Sequence, residues 1–176
     1  DAFIACPGEN RDGRDFIDQA VASGASVILV PRGSTVPAHK GVTIIEADHP
    51  RKALAQMAAN LAGQQPAVMV GVTGTNGKSS IVTFCRQLWQ SIGINGASVG
   101  TIGITAGMKD GRVIDKPGTL TTPDPVTLHT ALAELVTDGV DHVATEVSSQ
   151  GLDQNRADGV TFAAAAFTNL TRDHLD

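Results

Sequence analysis

Aromatic side chains are scarce in this chain. One Trp, five Phe and no Tyr make up 3% of its 176 residues. That argues against the stacking platforms on which single-stranded nucleic acid is held. Positive charge is not in excess either. Thirteen Lys and Arg stand against eighteen Asp and Glu, a formal net charge of −5, which speaks against a nucleic-acid surface. Only two cysteines occur, Cys6 and Cys85, far apart and in apolar stretches, with no C-x-x-C. They are expected to be buried reduced thiols of a cytoplasmic protein. No apolar run is long enough to span a bilayer and no charged-then-apolar leader is present, so no membrane association is expected.

What is present supports a folded core. Hydrophobic residues reach 41%, nineteen glycines imply many tight turns, and the length suits one domain or two small ones. The chain opens directly in an apolar run, and its last ten residues run on without a stop signal. The expectation is an excerpt from a longer protein.

Apolar runs and helical spacings alternate along the chain. Residues 2–6, 26–30 and 42–45 read as short strands, with a helix over 15–22 whose Phe16, Ile17, Ala20 and Val21 share a face. Pro50 suits a first helical turn, and Leu54, Met57, Ala58 and Leu61 predict an amphipathic helix over 50–63. Gly63-Gln64-Gln65-Pro66 reads as a linker, which divides the chain into 1–64 and 65–176. In the second part a strand over 67–72 precedes a helix with Ile81, Cys85, Leu88 and Ile92 on one face. Residues 96–105 read as strand or turn, and 106–120 as a surface loop or hairpin. A helix starts at Asp124-Pro125 and buries Leu128, Leu132 and Leu135. Residues 142–147 read as a strand and 160–167 as a buried strand. The expected class is α/β: a small N-terminal α/β domain, then a truncated P-loop-type central domain with a mostly parallel sheet covered on both faces. Ligands of such sheets sit at the carboxyl ends of the strands, where the loop after residue 72, Glu146 and residues 168–176 all fall.

The strongest chemical signal is Thr73-Gly74-Thr75-Asn76-Gly77-Lys78-Ser79, set between a buried strand and a helix. Gly74 and Gly77 let the backbone curl with its N–H groups inward, and the helix start adds unpaired donors and a positive dipole end. Lys78 can reach a β- or γ-phosphate and the Ser79 hydroxyl can ligate Mg²⁺. The form is the short G-x-x-G-K-S, because Val72 stands where the general pattern has its first glycine. A nucleoside triphosphate is the expected ligand; local amides and Mg²⁺ hold an anion even on an acidic protein.

Other positions leave alternatives open. Glu146 ends a strand, where its carboxylate suits Mg²⁺ together with Ser79 and phosphate oxygens, or is a solvated or a capping side chain. Thr121 and Thr122 precede a proline-fixed helix start and offer hydroxyls to a ligand, or Thr122 or Asp124 simply caps that helix. His174 beside Asp173 is a metal ligand, a general base or an exposed side chain. Arg156 clamps a carboxylate or phosphate, or is surface charge. His39, His49, His129 and His142 show no ligand spacing.

Together these segments resemble the Mur ligase family: residues 1–8 with Asp12-Gly13-Arg14-Asp15-Phe16, the 73–79 loop, Thr121-Thr122-Pro123-Asp124-Pro125 with His129, Glu146 through Arg156, and 167–176. The pairing of Thr-Thr-Pro-Asp-Pro with Glu-Val-Ser-Ser resembles the members that add the third amino acid to a UDP-N-acetylmuramoyl-dipeptide in peptidoglycan synthesis. The resemblance implies ATP held by residues 73–79. It implies one Mg²⁺ on Ser79 and Glu146 and a second that His174 helps to hold, and catalytic roles for Lys78, Glu146 and His174. It implies contacts from Thr121, Thr122, Ser148, Gln154 and Arg156 to the UDP-muramoyl-dipeptide, with Asn10 and Arg11 near its uridine end. ATP would phosphorylate the peptide carboxylate; the amine of diaminopimelate or lysine would attack the acyl phosphate and expel phosphate. The family enzyme has three domains, so a monomeric excerpt without ligase turnover is expected here. Gln150 stands where a His is usual, and Leu120 where Asn is common. Competing readings are another Mur ligase or a folylpolyglutamate synthase-like ligase, a nucleotide-binding switch without ligase chemistry, and a Rossmann-like fold without retained function.

Overall fold

A computed structural model describes residues 1–8 and 11–171. The chain forms two compact units that divide inside a helix, Asp1–Leu54 and Ala55–Asp176.

In the first unit, three parallel strands stand in the order β1 (Ala2–Ile4), β2 (Val27–Pro31), β3 (Thr43–Ala47). A 3-10 turn, Gly13–Phe16, leads into α1 (Ile17–Ala22). Asp12 caps that turn by accepting from the Arg14 N–H at 2.9 Å, and the Arg14 guanidinium holds its carboxyl down at about 2. Ala5, Ile17, Ile28 and Val30 make the core.

The helix α2 (Pro50–Ala62) forms where the spacing predicts it, but with a different buried face. Ala55 and Ala58 are buried, whereas Leu61 is 89% exposed and Met57 is exposed. Small residues carry the packing because the backbone comes close: a Cβ on Gly159 would lie 2.8 Å from the Ala59 Cβ.

The second unit holds six strands in the order β7 (Val113–Pro117), β6 (Gly103–Gly107), β5 (Gly96–Gly100), β8 (His142–Glu146), β4 (Val68–Thr73), β9 (Ala164–Phe167). Pairs β5–β8, β8–β4 and β4–β9 are parallel; β5–β6 and β6–β7 are antiparallel. The expected mostly parallel sheet is thus parallel at its centre and extended by an antiparallel meander, with the 106–120 region supplying its hairpin. Residues 160–167 correct the expectation of a buried strand. Only Ala164–Phe167 pair, on one side with β4, and Ala164, Ala165 and Phe167 are exposed. A strand held at one edge has only one neighbour to cover it.

Alternation along the strands separates two faces. Met69, Val99 and Val143 pack with Leu128, Leu132 and Leu135 of α4 (Pro125–Thr137). Val72 and Ala144 face the other way, toward Ile81, Val82, Cys85 and Trp89 of α3 (Lys78–Ser91). Leu88 and Ile92, expected on that buried face, are exposed. The packed stripe instead follows 81, 82, 85 and 89, ending where Trp89 lies on bare Gly96, whose added Cβ would come within 3.0 Å. Cys6 and Cys85 are free and half-buried rather than fully buried, and burial pushes both thiols above their ordinary value.

Candidate functional site

The loop after β4 has the backbone that its glycines foretell. Gly74 and Gly77 take φ of 121° and 88°, and a Cβ on Gly74 would run into the Thr168 hydroxyl. A short segment after β9 closes against the loop. Thr168 N–H donates to Thr73 O at 2.9 Å, and the Thr168 hydroxyl to Asn76 O at 2.7 Å. Asn169 accepts from the N–H of Thr75 at 2.9 Å and of Asn76 at 3.1 Å. The Lys78 ammonium folds back over the loop and donates to Gly74 O at 2.6 Å and Thr75 O at 3.0 Å. Past Asn76 the donors are open. Among the described residues, the N–H groups of Gly77, Lys78, Ser79 and Ser80 have no acceptor, as the first turn of a helix dictates. Four converging donors at a positive helix end, beside an ammonium, make an anion cradle.

Glu146 stands at the carboxyl end of β8 on the α3 face, only 1% exposed. Its Oε2 accepts from the Ser79 hydroxyl at 3.0 Å and its Oε1 from Thr101 N–H at 2.9 Å. Gly100 makes room for it, since a Cβ there would collide with the carboxylate. No Lys, Arg or His among the described residues pairs with it. Its described partners are all neutral donors. The oxygen-only set of Ser79 Oγ and Glu146 Oε2 fits a hard ion such as Mg²⁺. The burial of Glu146 excludes the alternative of a solvated side chain.

Two turns bring the hydroxyl and arginine residues together beside this point. Asp124, not Thr122, caps α4, accepting from Val126 N–H and Thr127 N–H, each at 3.1 Å. Thr122 is buried instead. Its hydroxyl donates to Glu146 O at 3.1 Å, accepts from Ser148 N–H at 2.9 Å and lies 3.2 Å from Ser148 Oγ. Ser148 in turn caps α5 (Ser149–Asp153) by accepting from Gly151 N–H at 3.0 Å. After α5, Asn155 takes a left-handed φ of 55° and reverses the chain. Arg156 thereby reaches back to donate to Thr122 O at 2.9 Å and to Gln154 Oε1 at 2.7 Å. Arg156 is half-buried and anchored, which rules out ordinary surface charge. A cleft of about 150 Å³ joins Gly74, Lys78, Thr121, Thr122, Ser148 and Arg156.

The structure therefore gathers Thr73 through Ser79, Thr121, Thr122, Glu146, Ser148, Gln154 and Arg156 into one region at the strand ends. Arg11 belongs to the first unit, where its carbonyl accepts from Gly8 N–H at 2.9 Å. Asn10 and His174 lie outside the described residues. One residue escaped the sequence reading. Thr101, in the turn after β5, places its hydroxyl 3.0 Å from Thr121 Oγ1 and 3.4 Å from Glu146 Oε2. Its only signal is a Gly-Thr-Ile-Gly turn at a strand's carboxyl end.

Known proteins match this arrangement. A protein named UDP-N-acetylmuramoyl-L-alanyl-D-glutamate–2,6-diaminopimelate ligase from Rhizobium meliloti (strain 1021) is 48% identical over 176 residues, all of this chain but 35% of that protein. One of the same name from Chelativorans sp. (strain BNC1) is 51% identical over the same span, again 35% of its length. The chain thus spans about a third of the curated relatives it matches. A solved diaminopimelate ligase of that name superposes with a TM-score of 0.74 at 27% identity, covering 93% of this chain and 32% of the other. MurF from Thermotoga maritima, solved in complex with ADP, shares the fold with a TM-score of 0.57 at 21% identity, covering 100% of this chain and 36% of that one. The sequence profile of the Mur ligase family catalytic domain matches residues 1–61, and that of the Mur ligase middle domain matches 72–176. The chain belongs to the Mur ligase family.

Proposed function

We propose that this chain supplies the phosphate-binding and UDP-substrate-binding part of an ATP-dependent ligase that joins diaminopimelate to UDP-N-acetylmuramoyl-L-alanyl-D-glutamate. The observation that carries the reading is the junction of three groups: the open helix-start amides with Lys78, the buried Ser79–Glu146 oxygen pair, and the cleft lined by Thr121, Thr122, Ser148 and Arg156. The names of relatives at 48% and 51% identity supply the substrate and the amino acid.

In this reading residues 73–79 cradle the ATP phosphates. Lys78 exchanges its contacts to Gly74 O and Thr75 O for phosphate oxygens, and the amides of residues 77–80 hold the γ-phosphoryl group. Ser79 and Glu146 would hold Mg²⁺, which neutralises charge building on the transferred phosphoryl group. His174 would help to hold a second Mg²⁺. Arg156, fixed by Thr122 O and Gln154, aims its remaining donor capacity at a carboxylate or phosphate of the UDP-substrate, while Thr121 and Ser148 orient it. A peptide carboxylate oxygen attacks the γ-phosphorus and ADP departs. The amine then attacks the acyl carbon, phosphate departs, and a proton leaves the new amide nitrogen. Residues 1–64 form the domain that receives the uridine end through Asn10 and Arg11, and 65–176 the domain that receives nucleotide. The reading includes a cytoplasmic monomer; among the described residues no helix is long and apolar enough to cross a membrane.

Titration calorimetry with UDP-N-acetylmuramoyl-L-alanyl-D-glutamate, and separately with folate, tests the substrate class. The expected result is saturable binding of the UDP-dipeptide, weakened about tenfold or more by Arg156→Ala through loss of a charge-assisted contact, and none of folate. Binding of folate without the UDP-dipeptide would transfer the chain to the folylpolyglutamate synthase-like alternative.

A further inference from the structure

Thr101 joins the two halves of the site through a single proton. Its hydroxyl lies 3.0 Å from Thr121 Oγ1 on one side and 3.4 Å from Glu146 Oε2 on the other. Its backbone N–H separately holds Glu146 Oε1 at 2.9 Å. A hydroxyl has one hydrogen to give, and an ionised carboxylate can only accept. Whenever the Thr101 proton points at Glu146, Thr121 must act as donor toward Thr101. Whenever it points at Thr121, the Thr121 hydroxyl is left with its own hydrogen to direct into the cleft, which Thr121 lines. The side chain is exposed at a turn between Gly100 and Gly103, so packing does not require a threonine there.

We propose that Thr101 is a positioning residue that couples cation and nucleotide binding at Ser79–Glu146 to binding of the UDP-substrate at Thr121. This inference rests on the function proposed above. A cation held by Ser79 and Glu146 would leave Glu146 Oε2 a weaker acceptor for the Thr101 proton. The proton then goes to Thr121, which turns its own hydrogen toward a ligand in the cleft. No covalent step is involved. Each ligand biases the same hydroxyl, so by linkage each raises the other's affinity by the same factor.

The test measures the affinity of UDP-N-acetylmuramoyl-L-alanyl-D-glutamate by calorimetry, with and without Mg²⁺ and a non-hydrolysable ATP analogue. It is run on the wild-type chain, Thr101→Val and Thr101→Ser. Wild type is expected to bind the UDP-dipeptide about fivefold more tightly or better when Mg²⁺ and nucleotide are present. Thr101→Val should reduce that factor to about one, whatever the affinity of each ligand alone, and Thr101→Ser should restore it. A coupling factor in Thr101→Val equal to wild type overturns this inference and leaves the function proposed above standing. Failure of wild type to bind either ligand overturns that function and the inference with it. Loss of coupling in both variants also overturns it, because a missing methyl group would then matter as much as the missing hydroxyl.

Discussion

Single atoms decide whether this site works, and glycine hydrogens are among them. Gly100 leaves the space that the Glu146 carboxylate fills, and any Cβ there collides with it. Gly100→Ala should cost about 1–3 kcal/mol of stability and weaken Mg²⁺-dependent nucleotide binding, since the carboxylate must swing away from Ser79. Urea denaturation and a nucleotide titration check both, and an alanine variant unchanged in the two would contradict the packing described. Lys78 makes a second case. It holds two loop carbonyls now and phosphates in the bound state, so Lys78→Ala should weaken nucleotide binding by about 10–100-fold. The sequence displays Lys78, Ser79 and Glu146 readily, because a glycine loop at a strand-to-helix junction and a strand-end carboxylate are local patterns. Thr101 is not legible in that way. Its importance comes from partners 20 and 45 positions away: the parallel pairing of β5 with β8 brings it to Glu146, and Thr121 comes from the segment after β7. Arg156 is intermediate. Its charge is visible in the sequence, but its anchoring on Thr122 depends on the left-handed turn at Asn155.

Among the elements, α4 carries the clearest electrostatic prediction. Burial works to raise the Asp124 carboxyl, but hydrogen bonds from the Thr127 hydroxyl and the N–H groups of Thr127 and Val126 outweigh it, and its value is lowered. A group depressed in the folded state adds stability above its unfolded value and loses it as pH falls through the folded one. Stability from this cap should therefore be complete above about pH 4, the ordinary aspartate value, and decline at lower pH. Asp124→Asn keeps the cap without the charge, so its stability should lose this acid dependence; Asp124→Ala should lose about 0.5–2 kcal/mol at neutral pH. Thermal melts at pH 3 and pH 7 measure both. Helix existence was plain from spacing and capping residues at α2, α3 and α4, whereas their buried faces were read correctly only for α4. Large apolar residues mark a face in a sequence, but α2 packs through Ala55 and Ala58, and the packed stripe of α3 runs through Ile81, Val82, Cys85 and Trp89, away from the exposed Leu88 and Ile92. A strand over 160–167 was legible, but its length and burial were not, since Val160 and Phe162 serve the α4-side core and only Ala164–Phe167 join the sheet.

Across the whole molecule, the alternation of strands and helices identified the α/β class, and the order of motifs identified the family. The antiparallel β5–β6–β7 extension was only partly legible, as a strand or turn over 96–105 and a loop or hairpin over 106–120, because its glycine-rich strands lack the apolar alternation that marks a half-buried sheet. Thr101, in the turn that leads from β5 into this extension, meets Glu146 through the parallel β5–β8 pairing, so that turn belongs to the site as much as the phosphate loop does. Ligands that bind only the folded chain must raise its melting temperature together with their concentration. Mg²⁺ with an ATP analogue should do so in wild type, and Mg²⁺ alone much less, since the phosphates complete its oxygen shell. The central claim is that the buried Glu146–Ser79 pair and the adjoining loop form one site for a magnesium-bound nucleotide. The most direct measurement is titration of a fluorescent ATP analogue with Mg²⁺ or with EDTA, in wild type and in Glu146→Gln. Wild type should bind at least about tenfold more tightly with Mg²⁺ than without it, and Glu146→Gln should bind with equal, weak affinity in both conditions. Nucleotide binding in Glu146→Gln that keeps the full response to Mg²⁺ would contradict the account.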